Sequence, residues 1–246
     1  MPHPAPLTVG NRLLAALPAE SLTRLLPQLT PVELAFRQVL QLPETPIATV
    51  YFLQTAWGSM IATLEDGDGA EVGLIGHEGV VGLPVILGDD RDDLEAMIQN
   101  PGTALSMSAA ALRDEMARDP ALRALLLRYA LVHHGQVSRT AACNGRHYTE
   151  QRLARWLLMA HDRSQGDEFP MTHELLALML GLRRSGVTVA AGALQKAGLI
   201  RYERGRITIT DRSGLENATC ECYGVTRRAL DRLLGPAHEG SGVYRR

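Results

Sequence analysis

The sequence predicts an α+β chain in two parts, β-rich before about residue 118 and mostly helical after it. Three observations predict this. Short β-favouring runs alternate with glycines at 67, 69, 73, 76, 79, 82 and 88. A long apolar stripe at helical spacing starts at Pro120. Residues 171–209 then read as helix, tight turn, helix and hairpin. At 246 residues and 46% hydrophobic content, the chain can bury one large or two modest cores.

Residues 10–30 carry Leu13, Leu14, Leu17, Leu22, Leu25 and Leu26 at helical spacing, interrupted by Pro18. Strands are expected over 50–53, 59–64, 72–75 and 96–98, and their even spacing between turn signals predicts a sandwich or jelly roll. Helix returns over 108–117. The long helix from Pro120 extends to about 143–146, and Leu122, Leu126, Tyr129, His133, Val137 and Thr140 share its broad apolar face. That face is the expected seam of a symmetric homodimer, and packing on the helix's own domain is compatible with it, one side facing the barrel and the other the partner. A further amphipathic helix over 149–161 leads into a loop over 163–170.

In 171–209, Thr172 is the expected N-cap and Leu175, Leu176, Met179 and Leu180 form one stripe. Gly181 stands where the chain must turn. The second helix, about 184–197, turns Val187, Ala190, Ala191, Leu194 and Ala197 inward. Arg183, Arg184, Ser185 and Thr188 lie at or near its N-terminal end on the other side, and Arg204 and Arg206 sit on the hairpin tip. This is the outline of a winged helix-turn-helix, whose second helix enters the major groove of double-stranded DNA. The DNA contacts expected are Thr172, Arg183, Arg184, Ser185, Thr188, Arg204 and Arg206. Charge agrees: residues 1–148 hold 10 basic and 16 acidic residues, a balance of −6, whereas 149–246 hold 15 and 11, a balance of +4.

Other classes find little support. No nucleophile elbow, P-loop, HExxH or dinucleotide-binding fingerprint is present, so no catalytic residue and no enzyme is expected. No apolar run approaches the roughly 18–20 residues that cross a membrane. No signal peptide is expected, and three cysteines, Cys143, Cys220 and Cys222, make no disulfide framework, so a cytoplasmic setting is expected.

The motif LALMLGLRRSGVTVAAGALQKAGLIRYERGRITITDRSGLE, and more loosely GLIGHEGVVGLPVILG, carry a resemblance over roughly residues 10–220 to the Crp/Fnr family of bacterial transcription regulators. The resemblance implies a cyclic-nucleotide-binding-like jelly-roll sensor over 1–118, a dimerisation helix over 119–145, a winged helix-turn-helix over 146–220 and a C-terminal tail over 221–246. It implies a homodimer on an inverted repeat. The departures are informative. Family members that bind cyclic nucleotides carry a Gly-Glu pair and a downstream Arg for the phosphate; here Leu83 follows Gly82, and Asp92 and Asp93 stand near the arginine position. Cyclic nucleotides are therefore not expected, no cofactor is assigned, and any small-molecule effector is unknown. No cysteine precedes Cys143, against an N-terminal iron–sulfur centre. Ser185 replaces the glutamate found in well-known recognition helices, so the operator should differ from theirs. The alternative reading is a thiol- or metal-responsive regulator of the same fold using Cys220 and Cys222, with Cys143, His133 and His134 as further candidates. In that reading two thiols alone are an incomplete metal site, and no metal is assigned.

Overall fold

The computed structural model describes residues 9–235. Two short helices, α1 (Arg12–Ala15) and α2 (Ala19–Leu25), come first. Pro18 separates them, consistent with its missing N–H. Asn11 accepts from the Leu14 N–H to cap α1, and its amide donates to the carbonyls of Leu53 and Gly79 at 2.7 and 2.8 Å. The helices are thereby tied to the barrel.

The barrel has eight strands: β1 (Thr30–Leu34), β2 (Val39–Gln41), β3 (Thr49–Leu53), β4 (Trp57–Thr63), β5 (Gly69–Ile75), β6 (Val80–Val81), β7 (Leu94–Asn100) and β8 (Gly102–Ser108). They form two four-stranded antiparallel sheets, in the orders β1-β8-β3-β6 and β2-β7-β4-β5. Leu53, Met60, Ile75 and Ile98 fill the space between the sheets. The outer faces are also covered, which is why 50–53 reads as a continuous apolar run. Val50, Phe52 and Leu105 pack beneath α3 (Leu83–Leu87), α4 (Ala109–Arg118) and the start of α5 (Pro120–Arg146).

Asp119 caps α5, accepting from the N–H groups of Ala121 and Leu122. Leu122, Leu126, Tyr129, His133 and Thr140 are all buried within this single chain, and Val137 is half-buried. The expected dimer seam is corrected accordingly: those side chains face their own domain. The cause is the apolar outer surface of the barrel, which takes the wider stripe. Tyr129 lies against Gly79 so closely that a Cβ there would meet its hydroxyl at 2.0 Å, and Gln136 donates to the Leu74 carbonyl at 2.8 Å. The face left open carries Leu127, Leu131, Gly135, Ser138 and Ala142.

After α5 come α6 (Thr149–His161), β9 (Glu168–Pro170), α7 (His173–Leu180), α8 (Arg184–Lys196), β10 (Ile200–Glu203), β11 (Arg206–Ile209), α9 (Arg212–Ala218) and α10 (Cys222–Leu234). β9 falls in the segment read from sequence as a loop; it adds a third strand to the hairpin, order β10-β11-β9. α10 falls in the segment read as a tail and packs along α5. Of that segment, 236–246 lies outside the described residues, as does 1–8 of the expected sensor. Among the described residues no single helix is long and apolar enough to cross a membrane.

The helical part does not stand apart from the barrel. Trp57 of β4 meets Trp156 of α6 and Phe169 of β9 edge-on, with centroids 6.0 and 6.1 Å apart. Glu71 of β5 is fully buried at this junction; its carboxylate accepts from Trp156 Nε1 at 3.0 Å and from Ser59 Oγ at 2.5 Å. Arg163, just beyond α6, pairs with Glu78 of the barrel at 2.5 Å, both side chains buried. Burial pushes the Glu78 carboxyl up, but the Arg163 guanidinium and His77 more than offset it and leave it below the usual carboxylate range.

Candidate nucleic-acid interface

Thr172 caps α7, its hydroxyl accepting from the Leu175 N–H at 3.2 Å. Gly181 ends α7 at φ +58°, a left-handed conformation that glycine adopts at little cost. The chain then turns through 105° into α8. Val187, Ala190, Ala191 and Leu194 lock α8 into the core shared by α6, α7 and the three-stranded sheet.

This packing leaves Arg183, Arg184, Ser185, Gly186, Thr188 and Val189 exposed on one side of α8 and its leading end. Val189 is 69% exposed, a large apolar side chain held in water beside the arginines. The sequence reading passed over it because α8 was divided only into core and polar positions. Arg184 reaches Glu174 at 3.0 Å, and Thr188 Oγ1 lies 3.0 Å from His173 Nδ1. The His173 ring in turn stacks on Tyr202, 4.3 Å between centroids. The exposed Arg184–Glu174 pair is of the kind that contributes little, so Arg184 can exchange that partner for DNA at small cost.

At the hairpin tip, Arg204 has φ +49° and projects into solvent before Gly205. Arg206 differs: its Nε donates to Glu168 of β9 at 2.5 Å. The side-chain hydrogen bond from Arg206 holds the Glu168 carboxyl below its usual range. Arg184, Ser185 and Thr188 therefore form one surface at the start of α8, with Arg204 exposed on the flanking wing and Arg206, beside it at the same end of the hairpin, engaged by Glu168. The N–H groups at the leading end of α8 add a partial positive charge.

Residues 151–218 match the profile of the Crp-like helix-turn-helix domain. The chain carries a Crp-like helix-turn-helix. No curated protein matches its sequence. Among solved structures, FixK2 from Bradyrhizobium japonicum is 18% identical with a TM-score of 0.67, over 78% of this chain and 98% of that one. TTHB099, a transcriptional regulator of the CRP family from Thermus thermophilus, is 19% identical with a TM-score of 0.60, over 85% and 100%. The c-di-GMP-responsive global regulator CLP of Xanthomonas campestris is 16% identical with a TM-score of 0.56, over 78% and 99%. The whole chain thus shares the fold of these Crp/Fnr-type structures: β-sheet domain, long helix and helix-turn-helix.

Gly82 is followed by the hydrophobic helix α3, whose Pro84, Val85 and Ile86 are buried. Asp92 accepts from Gln41 and from the Leu94 N–H, and burial raises its carboxyl above the usual range. Arg91 is exposed and paired with Asp90 at 2.8 Å. The three cysteines, far apart in sequence, meet in one buried cluster, and the histidine that joins them is His147 rather than His133 or His134. Burial pushes the Cys143 thiol up to about 12 and raises that of Cys222.

Proposed function

We propose that this chain is a homodimeric, sequence-specific regulator of transcription that reads double-stranded DNA through α8. The exposed Arg184-Ser185-Thr188 surface, standing on a helix whose opposite side is locked into the core, carries the reading. Arg184 contacts a base edge or a phosphate beside it, and Arg183, Ser185, Thr188 and the α7 end at Thr172 complete the surface. Arg204 contacts phosphate; Arg206 does so only by leaving Glu168. A DNA reader works where the DNA is, so the cytoplasm is its compartment, and no catalytic activity is assigned.

The partner in the dimer is a second copy, seated along the open face of α5. Leu131 is 70% exposed there, and a groove of about 710 Å³ between α5 and α10, lined by Leu131, Val132, Gly135, Ala142 and Val225 together with Arg128, Arg139, Arg228 and Arg232, can receive a helix. The small residues permit close approach of the two helices. Two α8 helices would then lie about one DNA turn, roughly 34 Å, apart and read an inverted repeat. The sensor lacks the glutamate and arginine that hold a cyclic nucleotide, so its effector, if it has one, is of another class. A second reading, a thiol- or metal-responsive regulator of this fold, is favoured by the meeting of Cys143, Cys220 and Cys222.

Footprinting of genomic fragments with the purified chain tests the first reading. Protection of a two-fold symmetric site supports it. Binding that is equal on all fragments, or absent, overturns it.

A further inference from the structure

Cys143 lies near the end of α5, and His147 is the residue that caps it. Cys220 and Cys222 flank Glu221 between α9 and α10. The donor atoms of all four ligands lie within 4.8 Å of one another. Cys143 Sγ is 3.5 Å from Cys220 Sγ, and Cys222 Sγ is 3.8 Å from His147 Nδ1. A tetrahedral zinc ion, with bonds of about 2.3 Å to sulfur and about 2.0 Å to nitrogen, sets its ligands about 3.5–3.8 Å apart. Four donors this close enclose a single ion rather than a spread iron–sulfur cluster.

Two further observations point the same way. His147 Nε2 is 3.2 Å from a carboxylate oxygen of Glu221. That contact places the ring proton on Nε2 and leaves the Nδ1 lone pair facing the thiols, as carboxylates do behind metal-bound histidines. Arg155 is buried beside the cluster. It donates to Thr140 Oγ1 at 2.9 Å, its Nε has no partner, and it makes no ion pair among the described residues. Three thiolates around a dication carry a net charge of −1, which would balance this buried guanidinium. A disulfide between Cys143 and Cys220 would leave Cys222, His147 and Arg155 unaccounted for.

We propose that Cys143, His147, Cys220 and Cys222 form a mononuclear Cys3His site for zinc or a comparable soft divalent ion. Binding releases three thiol protons and forms three metal–sulfur bonds and one metal–nitrogen bond. The ion fastens the start of α10 to the last turn of α5. That is the joint at which α5 hands over, through Tyr148, to the first helix of the DNA-binding part. The site is of the closed, structural type.

The test uses the full chain, purified with reductant, without DNA, so that its outcome is independent of the operator reading. Native mass spectrometry should show one zinc per chain. After removal of zinc with a chelator, Co2+ should bind one equivalent and give thiolate-to-cobalt charge-transfer and tetrahedral ligand-field bands. Cys222→Ser should lose these bands, and Glu221→Gln, behind His147, should weaken Co2+ binding by roughly ten-fold. His134→Ala, on α5 outside the cluster, should keep them. If Cys222→Ser fails to fold, the wild-type cobalt spectrum decides alone. A folded, reduced wild-type chain that takes neither zinc nor Co2+, or a Cys143–Cys220 disulfide that once reduced still binds no Co2+, overturns the proposal.

Discussion

Glu71→Gln should remove a pH dependence that the wild-type chain carries. Glu71 is buried and held by Ser59 of β4, whose hydroxyl also lies against Met179 Sδ of α7, and by Trp156 of α6, with the charges of Arg155 and Arg163 nearby. Burial raises its carboxyl from the usual 4.5 to about 7, against the opposing hydrogen bonds from Ser59 and Trp156 and the two arginine charges. Between 4.5 and about 7 the folded chain holds a proton that the unfolded chain has released. Stability therefore falls as pH rises through that window, and the linkage integral gives about 2.5 kcal/mol lost between about pH 5 and about pH 8. Glutamine keeps the shape and the acceptor for Trp156 but cannot ionise. His133 works in the opposite sense: burial lowers it from 6.5 to about 4, so its contribution is lost as pH falls across that range. It is present in both proteins and cancels in their difference. Urea unfolding of both at one fixed chain concentration, so that any self-association is held constant, should show the variant gaining on the wild type as pH rises. A difference that stays constant from pH 5 to pH 8, or reverses sign, would refute a neutral Glu71.

Leu131→Glu puts a charge on the open face of α5 and should yield monomers by light scattering, with weakened operator binding. Arg184→Ala should cost roughly 1–3 kcal/mol on the specific site and relax preference there, read by gel shift on mutated operators. Arg204→Ala should weaken specific and random DNA alike and make the salt dependence shallower, because fewer counterions are released. Gly181→Ala forces a side chain into φ +58°, 3.2 Å from the Ala70 Cβ, and should lose about 1–2 kcal/mol in chemical denaturation with the fold retained.

The helix-turn-helix was legible because its signals are local. Thr172, Gly181 and the stripe from Val187 to Leu194 each follow from cap, turn and period rules that act within a few residues. The sense of α5 was not. Its stripe at Leu122, Leu126, Tyr129 and His133 has the same pattern whether it meets a partner or its own barrel, and only the outer surface of the β-sheets decides. β8 was missed because a strand covered on both faces loses the alternation that marks a half-exposed one, whereas β1 and β2 are short and largely exposed and β6 is two residues long, so no apolar run marks them. The cysteine cluster was half-visible: Cys220 and Cys222 are neighbours in sequence, but nothing local brings Cys143 and His147 to them. Val189 and the pairing of Arg206 with Glu168 likewise depend on the fold, the latter on a strand that was read as loop.

The Trp57, Trp156 and Phe169 contact has a consequence for how this chain can be taken apart. A reader domain excised at the end of α5 would bring to water Trp156, Phe169 and the Leu178–Met179 edge of α7 that lies on β4 and β5. The barrel alone would bare Trp57, Ile61, Leu74 and a Glu71 left with Ser59 as its one remaining side-chain donor. Neither half is therefore a free-standing cassette. Swapping sensors between such regulators at the helix boundary would join surfaces that were shaped for other partners, and the hybrids should aggregate unless the β4–β5 face travels with its reader.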